Sequence, residues 1–276
     1  MTKLADLHIH THYSDSTLSP QEVVREAVAC GLGCIAITDH DTTEGIKPTQ
    51  VAAENFDLEV VPAIELSSEI HGKDIHLLGY FIDCSSEILI KELEIIQHDR
   101  RERIKNMIHK LKEYGVDNID YEDVKPFNHS GSIGRPHLAM VLKEKGWVSS
   151  VAQAFEKYIG EGCPAYVSKF KLSPSEAISL IRKSGGIAVL AHPMVTNRDE
   201  LIPSFVAAGL QGIEVYYSNC SAVTTSYYEG IAKKHNLLMT GGSDAHGKAK
   251  VNTFIGKTSI PYELVDKLKI QTKRMA

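Results

Sequence analysis

Short apolar runs bounded by turn residues alternate along the chain with longer segments in which apolar residues recur about every 3.6 positions. Runs of the first kind predict strands and segments of the second kind predict helices, so their alternation indicates βα units. Seven strands are predicted, at Leu4–His10, Cys34–Thr38, Leu58–Leu66, Ile75–Ile82, Ile187–Ala191, Gly212–Tyr216 and Leu237–Gly241.

Two of the predicted helices have clear start and stop signals. The motif Ser-Pro-x-Glu begins at Ser19 and again at Ser173. In each copy the serine can cap the helix, the proline suits the first helical position, and the glutamate can reach back to the cap amide. Gly31 is expected to end the first helix and Gly185 the second, because glycine tolerates the left-handed backbone that commonly terminates a helix.

The long segment between the fourth and fifth predicted strands contains no good strand pattern. It predicts one long charged helix over 86–114, ended by Gly115, and two shorter helices near 135–145 and 149–158. We therefore interpret residues 95–165 as a helical insertion that packs over one end of a βα barrel and covers its active site. Residues 1–94 and 166–276 form the barrel domain in this interpretation, and the predicted fold class is α/β.

Histidine is the outlying feature of the composition, with 13 residues in a chain of 276. The formal net charge of −5 provides no general basic field for nucleic acid or anionic lipid, although it is compatible with a local basic pocket. Five cysteines without a C-x-x-C pair suit free thiols in a reducing compartment. Because no signal-type or membrane-spanning apolar run is present, we expect a cytoplasmic protein that does not bind a membrane. No obligate protein partner is expected either.

Residue types that bind metal ions stand at the ends of nearly all predicted strands. The C-terminal ends of parallel strands in a βα barrel meet on one face, where such barrels carry their active sites. The sequence therefore predicts that these side chains converge. They are His8, His10, Asp39, His40, Glu65, His192, Asp244 and His246.

Two further candidate ligands need separate arguments. His76 begins a strand, but residues 70–73 have the composition of a chain reversal, so Glu65 and His76 would lie roughly opposite each other in a hairpin. Asp15 lies in the loop before Ser19, near enough to the first strand for its carboxylate to bend back over the same rim. Asp15 could instead be only a turn residue at the helix entry.

The number of candidate ligands exceeds what one ion can use, since a single catalytic zinc takes about three protein ligands and leaves one position open. Any one of these residues alone is more often a hydrogen-bonding or core residue than a ligand. Burying all of them together without cations would be costly. We therefore predict two to three divalent ions, and a set of imidazoles and carboxylates without thiolates suits Mn, Zn or Fe.

The motifs around these residues resemble those of the PHP (polymerase and histidinol phosphatase) family from one end of the chain to the other. The resemblance implies a distorted (β/α)7 barrel, similar to a TIM barrel, with three metal ions at its C-terminal rim. Ser16 departs from the family pattern, which usually has glycine after the Ser-Asp pair, and His12 is an additional imidazole outside the ligand set. The matching segments are Asp6-Leu7-His8-Ile9-His10, Ser14-Asp15, Ile37-Thr38-Asp39-His40-Asp41-Thr42, Glu65, His76, Ala191-His192-Pro193 and Gly242-Ser243-Asp244-Ala245-His246.

The same resemblance implies how the ligands are shared among the ions. A hydroxide held at the metals by Glu65, Asp244 and His192 would attack the phosphorus atom, so no serine or cysteine nucleophile is required. By resemblance, one ion is held by His8, His10, Glu65 and Asp244, a second by Glu65, His76 and His192, and the third by Asp15, His40 and His246.

Contacts to the substrate are predicted from fewer residues. Segments 134–139 and 164–169 resemble the inserted region of the branch that contains nucleoside 3′,5′-bisphosphate phosphatases and RNA 5′-end exonucleases. Arg135, at a predicted helix start, and Lys169 would bind a substrate phosphate. Tyr216, Tyr217 and Asn219 follow the sixth strand and could receive a nucleobase or simply pack at the rim.

Other polar residues keep an ordinary structural interpretation. Asp39 and Asp41 flank His40 and could orient its imidazole or cap the next helix. The remaining side chains are expected to be solvated or structural, namely Arg100, Arg101, Arg103, His71, His98, His109, His129, His137 and His235.

These observations favour a metal-dependent phosphatase that acts on a small phosphorylated metabolite. The specific hypothesis is conversion of a 3′,5′-bisphosphonucleotide to the nucleoside 5′-monophosphate and phosphate. Three enzymatic alternatives stay open: histidinol-phosphate hydrolysis, 5′–3′ exonuclease activity on short RNA ends, and C–N hydrolysis of the amidohydrolase type. A proofreading module of a polymerase and a binding-only protein are less favoured, since little chain follows His246 and binding alone would not need a hydrolytic ligand set.

Overall fold

The computed structural model describes residues 3–127, 132–168, 172–250 and 253–275. Strands and helices alternate along most of these ranges, as the hydrophobic pattern predicts. The strands are β1 (Leu4–Ile9), β2 (Cys34–Ile37), β3 (Glu59–Ile70), β4 (Lys73–Tyr80), β5 (Ile187–Leu190), β6 (Gly212–Tyr217), β7 (Leu238–Gly242) and β8 (Ile260–Pro261). The α-helices within the same ranges are α1 (Pro20–Ala29), α2 (Ile46–Ala53), α3 (Glu87–Glu113), α4 (Tyr121–Val124), α5 (Arg135–Glu144), α6 (Val151–Ala154), α7 (Pro174–Lys183), α8 (Pro193–Thr196), α9 (Ile202–Ala207), α10 (Ala222–Lys234) and α11 (Tyr262–Met275).

The strands form one eight-stranded sheet in the order β7-β6-β5-β4-β3-β2-β1-β8. β1, β2 and β3 pair in parallel, and so do β5, β6 and β7. β4 runs antiparallel to both of its neighbours because it follows β3 through a hairpin. His71 and Gly72 both have positive φ at this turn, as a two-residue type I′ hairpin requires. The reversal explains why His76, near the start of its strand, reaches the rim where the parallel strands end.

The sheet nearly closes into a barrel where β7 returns to β1. The amide of Asp244 donates to the carbonyl of His8 at 2.8 Å, and the amide of His10 donates to the carbonyl of Ala245 at 3.1 Å. Gly242 permits this approach, since a Cβ at that position would lie 2.4 Å from the backbone nitrogen of His8. The predicted α/β barrel of the distorted TIM type is therefore confirmed.

Apolar side chains fill the end of the barrel at which β1 begins. Leu7 and Tyr80 are fully buried there and pack with Val265 and Leu268 of α11. β8 pairs with the first residues of β1, and α11 contacts β1, β5, β7 and β8, so this helix covers the N-terminal end of the barrel. The opposite rim is consequently the end at which polar residues gather.

The helical region after β4 has a hydrophobic cluster of its own. Met107 and Leu111 of α3 pack there with Leu138 and Leu142 of α5. The first part of α3, including Leu93, packs instead with the helices that cover the sheet. This division is compatible with an insertion over 95–165, and the boundaries of that insertion stay a prediction.

Most predicted elements are present with shifted ends. All seven predicted strands occur, and both Ser-Pro-x-Glu motifs form capping boxes at the starts of α1 and α7. β3 continues to Ile70 instead of ending at Leu66, because its hairpin pairs with β4 as far as the turn. The helix predicted over 149–158 is a short α6 followed by a π-helix at Phe155–Ile159. β8 was missed because two residues carry no periodic pattern.

Within the described ranges, no helix combines the length and the apolar character that crossing a membrane would require.

The glycine at the closure of the barrel provides a test of this architecture. We expect Gly242→Ala to lower the free energy of unfolding by about 1–3 kcal/mol, because the new Cβ would overlap backbone atoms of β1. Gly230→Ala in the exposed part of α10 is the control, since a Cβ there meets nothing within 4 Å. That change should raise stability by about 0.5–1 kcal/mol. Urea unfolding of the metal-free proteins measures the stability of both variants. A Gly242→Ala variant as stable as the wild type would contradict the proposed closure.

Candidate metal centre

Glu65 is the centre of the polar cluster at the open rim. Its side chain is only 1% exposed, and the backbone of β3 holds it in place through hydrogen bonds with the segment that carries His40. Imidazoles surround both carboxylate oxygens. Oε1 lies 2.9 Å from His76 Nδ1 and 3.0 Å from His192 Nε2, and Oε2 lies 3.3 Å from His8 Nε2, 3.2 Å from His10 Nε2 and 3.3 Å from His40 Nδ1.

Asp244 adds a second carboxylate on the β7 side of the cluster. Its Oδ1 lies 3.6 Å from His8 Nε2, 3.4 Å from His10 Nε2 and 3.4 Å from His246 Nδ1. Its Oδ2 accepts a hydrogen bond from the Tyr217 hydroxyl at 2.8 Å and pairs with the ammonium group of Lys250. The two oxygens of Asp244 therefore have separate environments, one of imidazoles and one of rim residues.

Asp15 supplies a third carboxylate from the loop that follows β1. Its Oδ1 lies 3.2 Å from His246 Nε2 and its Oδ2 lies 3.9 Å from His40 Nε2. The loop is held by Asp39, which accepts hydrogen bonds from the Thr11 amide at 2.7 Å and the Ser14 hydroxyl at 2.6 Å. With Asp15 in this position, all nine predicted ligands meet at one rim.

The fit of these residues to metal ions can be judged from their buried polar atoms. His10 Nε2, Asp15 Oδ1 and His40 Nδ1 are buried and lie 3.2–3.3 Å from other candidate ligands, but they make no well-directed hydrogen bond among the described residues. Leaving such an atom unsatisfied costs about 1–3 kcal/mol, which a bound cation at the rim can offset. Three overlapping groups bring their ligand atoms within 4.8 Å of one another, namely His10 with Asp15, His40 and His246, His8 with His10 and Glu65, and His40 with Glu65 and His76.

Electrostatics in the cluster keep the carboxylates ionised. Burial alone would raise the pKa of Glu65, but the imidazoles of His40, His76 and His8 outweigh burial and hold that pKa well below its usual range. Burial alone would lower the pKa of His10, but Asp244 and Glu65 raise it to about 9. Without metal, protons on His8 and His10, whose pKa values are raised, therefore supply positive charge that the buried carboxylates require, whereas burial lowers the pKa of His40 to about 3 and keeps that ring neutral.

Glu214 is a residue near the ligands that the sequence analysis did not single out. This carboxylate on β6 is completely buried. Its Oε1 lies 2.9 Å from Nδ1 of His8, and its Oε2 accepts a hydrogen bond from the backbone amide of His192 at 2.8 Å. A single acidic residue inside the apolar run Gly212–Tyr217 was the available signal.

Asp41 turns away from the ligand cluster towards a neighbouring cleft. It accepts a hydrogen bond from the Ser67 amide at 2.7 Å and pairs with the guanidinium group of Arg100. Neither Asp39 nor Asp41 caps the next helix, whose N-cap is Gly45 without a side-chain hydrogen bond. Both carboxylates instead secure the loops that carry the candidate ligands.

Three arginines line this cleft, which adjoins Asp15, His40 and His76; we call it the arginine cleft, defined by Arg100, Arg103 and Arg135. Arg100 and Arg103 were expected to be solvated, and this prediction is wrong. Their side chains are about 13% and 7% exposed because they lie on the inner face of α3. Charged residues occur on both faces of that helix, so the sequence does not distinguish its buried arginines from its exposed ones.

Phe155, Ser132 and the carboxylate residue Asp74 also line the cleft. The guanidinium carbon of Arg135 lies 5.4 Å from the Phe155 ring centroid and 5.7 Å from that of Tyr166. Burial, together with Arg135 and Arg100, lowers the pKa of Arg103 to about 10. The Ser132 hydroxyl is buried at the cleft without a hydrogen-bond partner among the described residues.

The remaining predicted substrate contacts have different positions. Lys169 lies outside the described residues. The Tyr216 hydroxyl donates to Glu229 on α10 at 2.9 Å, and Asn219 accepts a hydrogen bond from Lys257 at 2.6 Å. Only Tyr217 lies against the cluster, with its ring centroid 5.7 Å from that of His192. The structure therefore brings one of the three predicted base contacts to the ligands.

Comparisons with known proteins agree with this geometry. A 5′-3′ exoribonuclease of Haemophilus influenzae is 34% identical over 89% of this chain and 91% of the relative. A 3′,5′-nucleoside bisphosphate phosphatase of Chromobacterium violaceum is 32% identical over 92% of this chain and 90% of the relative. A solved structure from Bifidobacterium adolescentis, described by inference as a metal-dependent phosphoesterase, superposes with a TM-score of 0.88 at 30% identity, covering 97% of this chain and 96% of the other.

The family model for the PHP domain matches residues 6–161, which contain most of β1, all of β2 to β4, six of the nine candidate ligands and most of the helical region. The similarities to whole relatives extend over most of the chain and include the remaining three ligands. The chain therefore belongs to the PHP family of metal-dependent phosphoesterases.

Proposed function

We propose that this chain removes phosphate from a nucleotide that carries two phosphates, with a 3′,5′-bisphosphonucleotide as substrate and a nucleoside 5′-monophosphate as product. The observation that carries the proposal is the arginine cleft beside the ligand cluster. An ester with one phosphate would engage the metal site alone. A second phosphate has a place to bind only because the cleft adjoins that site.

The nine clustered residues would hold the divalent ions, which we propose to number two to three and to be Mn, Zn or Fe. When bound, such ions activate water at neutral pH and neutralise charge on the phosphoryl oxygens. The proposed division of ligands follows the family resemblance, with Glu65 shared between two ions. Asp244 and His192 would complete the part of the site that faces the reacting phosphate.

The arginine cleft would bind the phosphate that does not react. Burial, with smaller contributions from Arg135 and Arg100, lowers the pKa of Arg103 to about 10, and an anion beside these groups would stabilise their charge. The side chain of Arg135 is held beside two aromatic rings at the start of α5, so its fork is oriented for bidentate contact. The Ser132 hydroxyl offers a further donor.

Two other residues have proposed roles at the substrate. Tyr217 is the proposed base contact, because its ring lies beside His192 at the rim. Lys169 is proposed to add a positive charge near the second phosphate, and it stays a sequence-based prediction.

The alternatives differ in how much of this site they would use. Histidinol phosphate carries one phosphate and would leave the cleft without an anion. C–N hydrolysis gives no role to three arginines. Exonuclease activity on short RNA ends uses the same chemistry, and the similarity to an exoribonuclease supports it as the second candidate.

A substrate panel tests the proposed activity directly. We expect phosphate release, with Mn added, to be fastest from a 3′,5′-bisphosphonucleotide. The comparison substrates are histidinol phosphate, a 5′-phosphorylated oligoribonucleotide and p-nitrophenyl phosphate. Faster hydrolysis of the oligoribonucleotide would favour the exonuclease, and failure with all four substrates after metal reconstitution would contradict the phosphatase assignment.

Arg135→Ala tests the arginine cleft. We expect KM for the bisphosphonucleotide to rise about 10–100-fold, because a charge-assisted hydrogen bond contributes about 1.5–3 kcal/mol, while kcat stays nearly constant. Arg101→Ala on the exposed face of α3 is the matched control and should leave both constants unchanged. An unchanged KM in Arg135→Ala would show that this arginine does not bind the substrate.

Metal binding should release protons, since imidazoles must be neutral to bind a metal. The pKa of His10, raised to about 9, means that this ring is protonated at neutral pH before metal binds. The apparent metal affinity should therefore fall as pH falls, by about tenfold per pH unit for each proton displaced. Calorimetry in buffers of different ionisation enthalpy measures the released protons, and His109→Ala, an exposed histidine, should behave as the wild type. If the apparent metal affinity stayed the same between pH 6 and pH 8, this expectation would be refuted.

A further inference from the structure

Glu214 connects two candidate metal ligands that come from different strands. It lies on β6, which pairs with β5 on one side and β7 on the other, and its carboxylate is completely buried. One oxygen contacts the ring of His8 from β1, and the other contacts the backbone of His192 after β5. Both oxygens are therefore engaged by residues whose opposite sides face Glu65.

The contact with His8 determines which ring nitrogen is available to a metal ion. His8 Nδ1 lies 2.9 Å from Glu214 Oε1, and a carboxylate oxygen can only accept a hydrogen bond. The proton of a neutral His8 ring is then on Nδ1, so Nε2 carries the free lone pair. That nitrogen faces Glu65 Oε2 at 3.3 Å and Asp244 Oδ1 at 3.6 Å, which is the direction of the proposed ions.

The contact with His192 holds an unfavourable backbone conformation. His192 has φ 25° and ψ 60°, in the left-handed region that residues with a Cβ rarely adopt. Its amide donates to Glu214 Oε2 at 2.8 Å, and the next residue, Pro193, begins α8. In this conformation His192 Nε2 lies 3.0 Å from Glu65 Oε1.

We propose that Glu214 is a positioning residue of the metal centre, holding the His8 ring in the tautomer with Nε2 free and the His192 backbone in the conformation that turns its ring to the same ions. The inference rests on the metal assignment within the proposed function and holds whichever phosphate ester is the substrate. A carboxylate that hydrogen-bonds to the far side of a ligating imidazole also increases the basicity of that ligand.

A purely structural role makes a different prediction from a positioning role. In metal-free protein Glu214 keeps its contacts with the His8 ring and the His192 amide, so its replacement lowers stability to the extent that these contacts hold the strands together. A positioning role requires, in addition, that metal affinity falls in variant protein that is still folded. If Glu214 served only to hold the strands together, the stability of the variant would fall while the metal affinity of the folded variant stayed that of the wild type.

Glu214→Gln is the decisive variant, because glutamine keeps the shape but its amide oxygen is its only acceptor and cannot replace both carboxylate oxygens. We expect Mn and Zn affinity, measured by titration of chelator-stripped protein, to fall about 10–100-fold. The stripped variant should still unfold cooperatively on heating, so that the lower affinity is measured on folded protein. Glu229→Gln, in which the replaced carboxylate accepts from the Tyr216 hydroxyl away from the cluster, is the control and should leave metal affinity unchanged.

A spectroscopic measurement on the wild type tests the proposal even if the variant does not fold. Long-range proton–nitrogen NMR of Zn-loaded protein with labelled histidine should show the His8 proton on Nδ1 and the metal on Nε2. Metal on Nδ1 of His8 would overturn the proposal, and so would a Glu214→Gln affinity within twofold of the wild type. A wild type that binds no metal would instead refute the metal assignment of the proposed function.

Discussion

The need to neutralise buried carboxylates at one end of a barrel governs the rest of this structure. Glu65 is almost fully buried, and five imidazole rings surround it at hydrogen-bonding to ion-pairing distances. Such a group is tolerated only when positive charge is close, whether from protons on the rings or from metal ions. The strands, the β3–β4 hairpin and the loops after β1 and β7 are arranged so that each brings a candidate ligand to the rim around this carboxylate.

Much of this centre could be predicted because short sequence segments determine where the strands end and where the chain turns. The C-terminal ends of parallel strands lie at one rim of a βα barrel, so a histidine or acidic residue at such an end is expected at that rim. His8, His10, Glu65 and Asp244 were placed correctly at one rim by this argument. His76 needed only the recognition of a reversal at residues 70–73, which the structure shows as a two-residue turn. The ion that each residue binds, by contrast, rests on family resemblance.

Features set by packing between distant segments could not be predicted in the same way. Arg100 and Arg103 belong to a helix with charges on all sides, and only the fold shows that these two face a cleft. Glu214 is one acidic residue in an apolar strand, and an edge strand with one side chain facing solvent would have the same pattern. β8 has two residues and pairs only because α11 must follow it across the base of the barrel. In each case the partner lies far away in the sequence.

The ligand cluster and the arginine cleft are joined by consecutive residues. His40 faces Glu65, whereas Asp41, whose φ of 52° is left-handed, turns its carboxylate to Arg100. Consecutive Cα atoms are separated by about 3.8 Å, so the two sites adjoin each other. A substrate that spans both sites therefore carries its two anionic groups close together. A nucleotide with two phosphates on one ribose meets this requirement, whereas a molecule with a single phosphate would use the metal site and bring no anionic group to the cleft.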